Sequence, residues 1–213
     1  DLQKKILDYE LTVYICDGTE SEKLEWFRTI NIAGEELTNQ ELRNAVYAGS
    51  WVSDAKRYFS KTGFAAHGLG SKYLKGIANR QDYLETVIYW YGDRVSPKQS
   101  IEECMIEHQH DPTAQDLWEY FRRVIAWVEK LFPTYRKEMK GLHWGIFYNR
   151  YHQYTYDPQT LEQEVSQLMA DDDVTKKSGI YQYVLEKTIG NDDPSVLNIR
   201  AFTDSQKRTA YEQ

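Results

Sequence analysis

Two copies of one helix-start signature, Thr19-x-x-Glu22 and Thr38-x-x-Glu41, stand on either side of Gly34 and constrain this chain more than any other feature. In such a capping box the hydroxyl accepts a hydrogen bond from the backbone N–H three residues on. The carboxylate reaches back to the N–H of the hydroxyl residue, so the pair marks where a helix begins. Leu24, Phe27 and Ile30 supply an apolar face after the first box. Leu42, Ala45 and Val46 do so after the second, in a stripe that continues past Gly49 through Trp51, Ala55 and Phe59. The first helix stops near Asn31, and Gly34 supplies the backbone shape of the turn. The pattern predicts two capped helices in tandem.

The rest of the chain extends this helical reading. Asp111 and Pro112 give a cap and a first-turn proline to a helix over 112–131, whose Leu117, Phe121, Val124, Ile125, Val128 and Leu131 form one continuous apolar face before Pro133. Asp157 and Pro158 repeat the start signal ahead of Leu161, Val165 and Leu168, and Ile180, Tyr183 and Val184 mark a further helix after Gly179. Leu84, Val87, Ile88 and Tyr91 give 80–91 a helical spacing, while the glycine-rich 62–79 reads as a loop or short broken helices. Only residues 9–16 alternate like a strand, and a lone strand needs partners for its backbone groups. The expected fold class is mainly α, a multi-helix domain with one N-terminal strand left from a truncated α/β half.

Composition narrows the function classes. The 213 residues, 41% hydrophobic and 14% aromatic, can fill a sizeable core, and seventeen tyrosines and six tryptophans predict one built from large rings with polar tips. A formal charge of -7 argues against nonspecific coating of DNA. Basic groups are local: Lys56 with Arg57, Arg122 with Arg123, Arg136 with Lys137 and Lys140, and Lys176 with Lys177. Cys16 and Cys104 have no paired spacing, which fits a reducing compartment and offers no zinc framework, so a cytoplasmic protein is expected. No apolar run approaches the roughly 20 residues that span a bilayer, so no membrane partner is expected.

Several stretches contain residue types that can carry chemistry. His108 and His110, with Glu107 and Cys104 before them, are metal-ligand types, but the local sequence reads as a helix end running into a turn capped by Asp111. Asp172 and Asp173, in the run from Asp171, suit a hard cation but lack spaced ligands and a calcium-loop glycine, so they read as a polar helix end. No metal site is expected at either place. Gly68-Leu-Gly70-Ser-Lys72 lacks the spacing of a phosphate loop and reads as a connector. From Trp144 to Tyr156 the aromatics Phe147, Tyr148, Tyr151 and Tyr154 interleave with Arg150 and His152, a composition that fills a core or stacks bases. His67, His143 and His152 have no serine or cysteine nucleophile placed beside them by sequence.

The segment Phe27-x-x-Ile30-Asn31-x-x-Gly34-x-x-Leu37-x-x-x-Glu41-Leu42, with Glu10 to Ile15 before it, resembles the GmrSD-like domain of unknown function. That domain is related to ParB and sulfiredoxin folds, occurs in bacterial restriction systems and often precedes an HNH nuclease. Stretches at 136–144, 168–179 and 197–208 look like the subgroup that runs directly into the HNH module. The family's Asp-Gly-Gln-Gln-Arg run is absent here, as are the paired cysteines and catalytic histidines of the nuclease. The resemblance therefore implies the helical C-terminal part of the domain over 1–190, and over 191–213 a linker and the start of a segment leading to the HNH module. Both chain ends read as cuts, with the first half of the domain and the nuclease expected as partners outside the chain.

The resemblance implies a regulatory, DNA-interacting segment of a restriction-type HNH endonuclease in bacterial defence, with no complete catalytic site and no cofactor of its own. A nucleotide and a divalent metal are expected of the parent protein. Phe27, Asn31 and Gly34 are the candidates for nucleotide or partner contact, Asn31 because its amide both donates and accepts. Arg122, Arg123, Arg136 and Lys137 are the candidates for contact with nucleic acid. Two rivals stand beside this reading. One is a metal-dependent phosphodiesterase that would need Asp172, Asp173 and His110 to converge; the other is a helical protein-interaction module, which the net negative charge suits.

Overall fold

The computed structural model describes residues 2–10, 13, 15, 17–30, 36–97 and 99–200, apart from the side chains of Glu20, Leu24 and Arg28. Among these the architecture is mainly α, as expected. The helices are α1 Leu2–Leu7, α2 Glu20–Ile30, α3 Asn39–Val46, α4 Ser50–Phe59, α5 Ala65–Gly70 and α6 Asp82–Val95. They continue with α7 Ile101–His108, α8 Gln115–Leu131, α9 Trp144–Tyr151, α10 Pro158–Ala170 and α11 Ile180–Thr188. Among the described residues the extended pairing is a single antiparallel bridge between Val174 and Ile199. The expected strand at 9–16 falls partly outside the described residues. Of its other members, Tyr9, Glu10, Val13 and Ile15 form no strand and are exposed.

Both opening signatures form as capping boxes. Glu22 N–H donates to the Thr19 hydroxyl at 3.3 Å and Thr19 N–H to the Glu22 carboxylate at 2.7 Å. At the second box, Glu41 N–H donates to Thr38 Oγ1 at 3.2 Å and Thr38 N–H to Glu41 Oε2 at 2.7 Å. Ser100 and Glu103 build the same device at the start of α7. The stripe expected to run on past Gly49 is interrupted there, and the chain restarts as α4. A side chain at Gly49 would put Cβ 2.2 Å from the Gln109 carbonyl oxygen, so the break is where α4 and the end of α7 meet backbone to backbone.

The long helix α8 begins at Gln115, not at Pro112. The Asp111 carboxylate that was to cap it accepts from His108 Nδ1 at 2.7 Å instead. The N-cap residue is Ala114, whose own N–H donates to Asp54 on α4 at 2.9 Å. A tertiary contact thus decides where this helix starts, and sequence proximity does not. The apolar face of α8 is buried as expected, from Leu117 to Leu131.

Rings dominate the core. Phe59, Phe121 and Trp118 meet edge-on or tilted where α4 crosses α8. Phe132, Trp144 and Tyr181 do so where α8, α9 and α11 converge. Each such pair adds about 0.5–1.5 kcal/mol beyond its buried area. Trp144 satisfies its indole N–H on the Met139 carbonyl at 2.9 Å. Burial pushes the phenol of Tyr181 up to about 12 and the thiol of Cys104, which is free and buried, also to about 12. Cys16 lies outside the described residues.

Residues 191–200, expected as linker, stay on the domain as far as they are described. Leu197 is buried, Lys176 N–H donates to the Leu197 carbonyl at 3.0 Å, and Arg200 N–H donates to that of Asp173 at 2.7 Å. Gly179 permits this return, because a Cβ there would lie 2.0 Å from the Val196 carbonyl oxygen.

Arg136 ties the segment before α9 to α10. Its guanidinium grips both carboxylate oxygens of Glu162, one at 3.1 Å, and also donates to Ser166 Oγ at 3.0 Å. These hydrogen bonds hold the Glu162 carboxyl below its ordinary value. A carboxyl depressed in the folded state stabilises the fold fully above its unfolded value, and the contribution is lost as pH falls through the folded one. Glu162→Gln is therefore expected to cost about 1 kcal/mol at neutral pH. The gap to wild type should close as the pH of a denaturation series falls below about 4. A gap independent of pH would show that the pair contributes nothing through its charge.

Candidate functional site

The C-terminal turn of α6, the middle of α8 and the end of α9 enclose a cleft of about 430 Å³. It is lined by Asp93, Arg94 and Pro97 from α6 and the turn after it, Tyr120 and Arg123 from α8, and Tyr148, Asn149, Arg150 and His152 from α9 and its end. Helical geometry explains the α8 pair, since residues three apart share a face. The close approach of α9 to α6 rests on Gly145, where a Cβ would lie 2.3 Å from Cβ and Cγ of the fully buried Trp90.

The floor is a hydrogen-bonded junction. Tyr120, 1% exposed, places its hydroxyl 2.9 Å from Asn149 Oδ1, 3.1 Å from the Trp90 carbonyl and 3.2 Å from the Gly145 carbonyl. One phenol proton serves one acceptor at a time, and the shortest contact is to Asn149. The Asn149 amide then donates to the Trp90 carbonyl at 2.9 Å and to Asp93 Oδ2 at 3.1 Å. Burial pushes the Tyr120 phenol far up, so it stays a donor at all working pH values.

The rim is cationic. The Arg94 guanidinium lies over the Tyr91 ring at 4.4 Å and within 5.7 Å of the Tyr120 ring, a placement that leaves its N–H edge for a ligand. Arg94, Arg123 and Arg150 form no ion pair with any described residue. The His152 ring stacks on Tyr148 at 4.4 Å and 16°, with Nδ1 on the Tyr148 carbonyl at 2.6 Å. Chemically the arrangement can hold an anion in a concave, partly aromatic setting.

The residues expected from sequence are scattered around this cleft. Arg123 lines it and also, with Arg122, a shallower neighbouring groove formed with Leu69, Glu119, Ala126 and Glu129. Arg136 is committed to Glu162, and Lys137 is exposed, 4.0 Å from Glu138. Phe27 is half-buried beside Trp26, while Asn31 and Gly34 lie outside the described residues. His108 is stacked on Trp51 at 5.4 Å and bonded to Asp111, and His110 is exposed. In the acidic run, Asp171 accepts from Asp173 N–H at 2.9 Å in a turn that ends α10, and Asp172 is exposed. Among the described residues no group of three His, Cys, Asp or Glu side chains is placed to hold a metal ion. The segment Gly68 to Lys72 forms the end of α5 and the turn after it, with Gly70 packed against the Phe121 ring.

Sequence reasoning missed Asp93, Arg94, Tyr120 and Asn149. A tyrosine on the apolar face of an amphipathic helix with an arginine three residues on was the available signal for the α8 side.

Gly145→Ala is expected to force α9 away from Trp90 and destabilise the fold by about 1–3 kcal/mol in chemical denaturation. A cost near zero would show that the two helices are free to separate. The chain matches no protein-family model, no curated protein and no solved structure.

Proposed function

We propose that this chain is a nucleic-acid-contacting, regulatory segment of a restriction-type HNH endonuclease of bacterial defence, acting in the cytoplasm without a complete catalytic site of its own. The observation that carries the reading is a set of arginines that, among the described residues, hold no carboxylate although the chain is acidic. Arg94, Arg122, Arg123 and Arg150 are exposed on three helices, α6, α8 and α9, and form no ion pair with any described residue. Arg43 and Arg136, in contrast, each hold a carboxylate. With 33 acidic residues against 26 Lys and Arg, leaving guanidiniums unpaired favours an external anion. Phosphate backbones present such anions at regular spacing, and Arg122 with Arg123 offers an outward-facing pair for them.

The resemblance in the segment around Phe27 and Gly34 supplies the restriction-type parent. The parent's nucleotide and divalent metal would then be handled by its other parts. Two side chains contribute a limited electrostatic term, so binding is modest and strongly salt-dependent.

Retention of duplex DNA, measured by fluorescence anisotropy across a salt series, tests this. Arg122→Gln with Arg123→Gln is expected to weaken binding about tenfold at low salt and to flatten the salt slope by about two. Absence of retention at low salt, or retention unchanged in the double variant, would overturn the reading and leave a protein-interaction module as the better account.

A further inference from the structure

The cleft between α6, α8 and α9 has features that an exposed DNA-contact face does not need. It is concave, its floor is a buried polar junction, and its cations come from three separate helices. From these we infer that it is a binding site for a phosphomonoester carried on a small planar body, of the size and shape of a mononucleotide. This assignment shares Arg123 with the proposed DNA contact and adds Arg94, Arg150 and the floor of the cleft to it.

Charge selects the anion. Three guanidiniums, Arg94, Arg123 and Arg150, face one carboxylate, Asp93, so two positive charges remain to be neutralised. A phosphomonoester near neutral pH brings close to two negative charges, whereas a carboxylate or a diester brings one. Asp93 accepts from the Asn149 amide at 3.1 Å and forms no ion pair with a described residue. Planar guanidinium forks suit phosphate oxygens in a way that point charges do not.

Size and shape select the body. A volume of about 430 Å³ falls within the range of small-molecule sites and far exceeds what an isolated phosphate would fill. The His152 ring rests on Tyr148 and is itself exposed, so it offers an outer face on which a flat ring can stack. Tyr148 is in turn braced edge-on by Tyr120 at 6.0 Å and Trp127 at 5.7 Å, which makes the platform rigid. The floor groups of Asp93 and Asn149 place polar atoms where a sugar or ring edge would lie.

Calorimetric titration with the four nucleoside 5′-monophosphates, the matching nucleosides and inorganic phosphate tests the assignment. At least one monophosphate is expected to bind about tenfold tighter than inorganic phosphate, with its nucleoside undetectable at about 1 mM. Arg94→Gln and Arg150→Gln should each weaken that monophosphate about fivefold or more, and Arg150→Lys should recover part of the loss. His152→Ala should weaken the monophosphate and leave inorganic phosphate unchanged, with circular dichroism confirming that each variant folds. No monophosphate binding at about 1 mM, a nucleoside binding as tightly as its monophosphate, or wild-type affinity in Arg94→Gln and Arg150→Gln would overturn it. Arg94→Gln, Arg150→Gln and His152→Ala leave the Arg122 and Arg123 pair intact, so loss of monophosphate binding with DNA retention kept separates the cleft from that pair.

Discussion

The hydroxyl of Tyr120 is the point on which the centre of this molecule depends. It lies at the crossing of α6, α8 and α9, within hydrogen-bond reach of the Trp90 and Gly145 carbonyls and the Asn149 amide oxygen. A phenol buried to this degree needs a partner, since a lost hydrogen bond in the interior costs about 1–3 kcal/mol. The requirement fixes how far α8 can shift along its neighbours. Asn149 transmits the same constraint to Asp93 through its amide donors. The junction that holds the core together therefore also sets the floor of the cleft and the starting positions of the side chains on its rim.

Charge is distributed in two ways around that centre. Where an arginine joins elements it is paired: Arg43 on α3 holds Glu85 of α6 at 2.6 Å and Glu102 of α7. Nearby the buried Gln40 donates to Asn44 at 3.0 Å, and Gln81 accepts from Asn44 and from Ser60 at 2.6 Å, so polar groups at the α3 end are satisfied internally. Around the cleft Arg94, Arg123 and Arg150 hold no carboxylate among the described residues. An acidic chain that satisfies one set of guanidiniums and leaves another open separates structural from external electrostatics within a single domain.

Much of this fold was legible because it is local. The boxes at Thr19 and Thr38, the Asp157 cap and the apolar face from Leu117 to Leu131 are written in residues three or four apart, and each formed where the pattern placed it. The start of α8 was not legible, since the N–H of its N-cap residue Ala114 is held by Asp54, 60 positions earlier. The Ser100 box carried the same letters as the others and went unread. The cleft was the least visible feature. Tyr120 and Asn149 are 29 residues apart, and nothing near either one announces the other. Arg123 was singled out from a basic pair, yet its relation to Arg94 and Arg150 exists only once three helices have packed. Asn31 and Gly34, the centre of the family-like motif, lie outside the described residues, so the resemblance and the cleft rest on separate parts of the chain.

The central claim is that one side-chain junction couples the helices and builds the cleft floor. A double-mutant cycle on Tyr120→Phe and Asn149→Ala, read as unfolding free energy in urea, measures that coupling directly. The account predicts an interaction energy of about 1 kcal/mol or more between the two positions. Additivity within about 0.3 kcal/mol would contradict it, because the hydroxyl and the amide would then stabilise the fold independently.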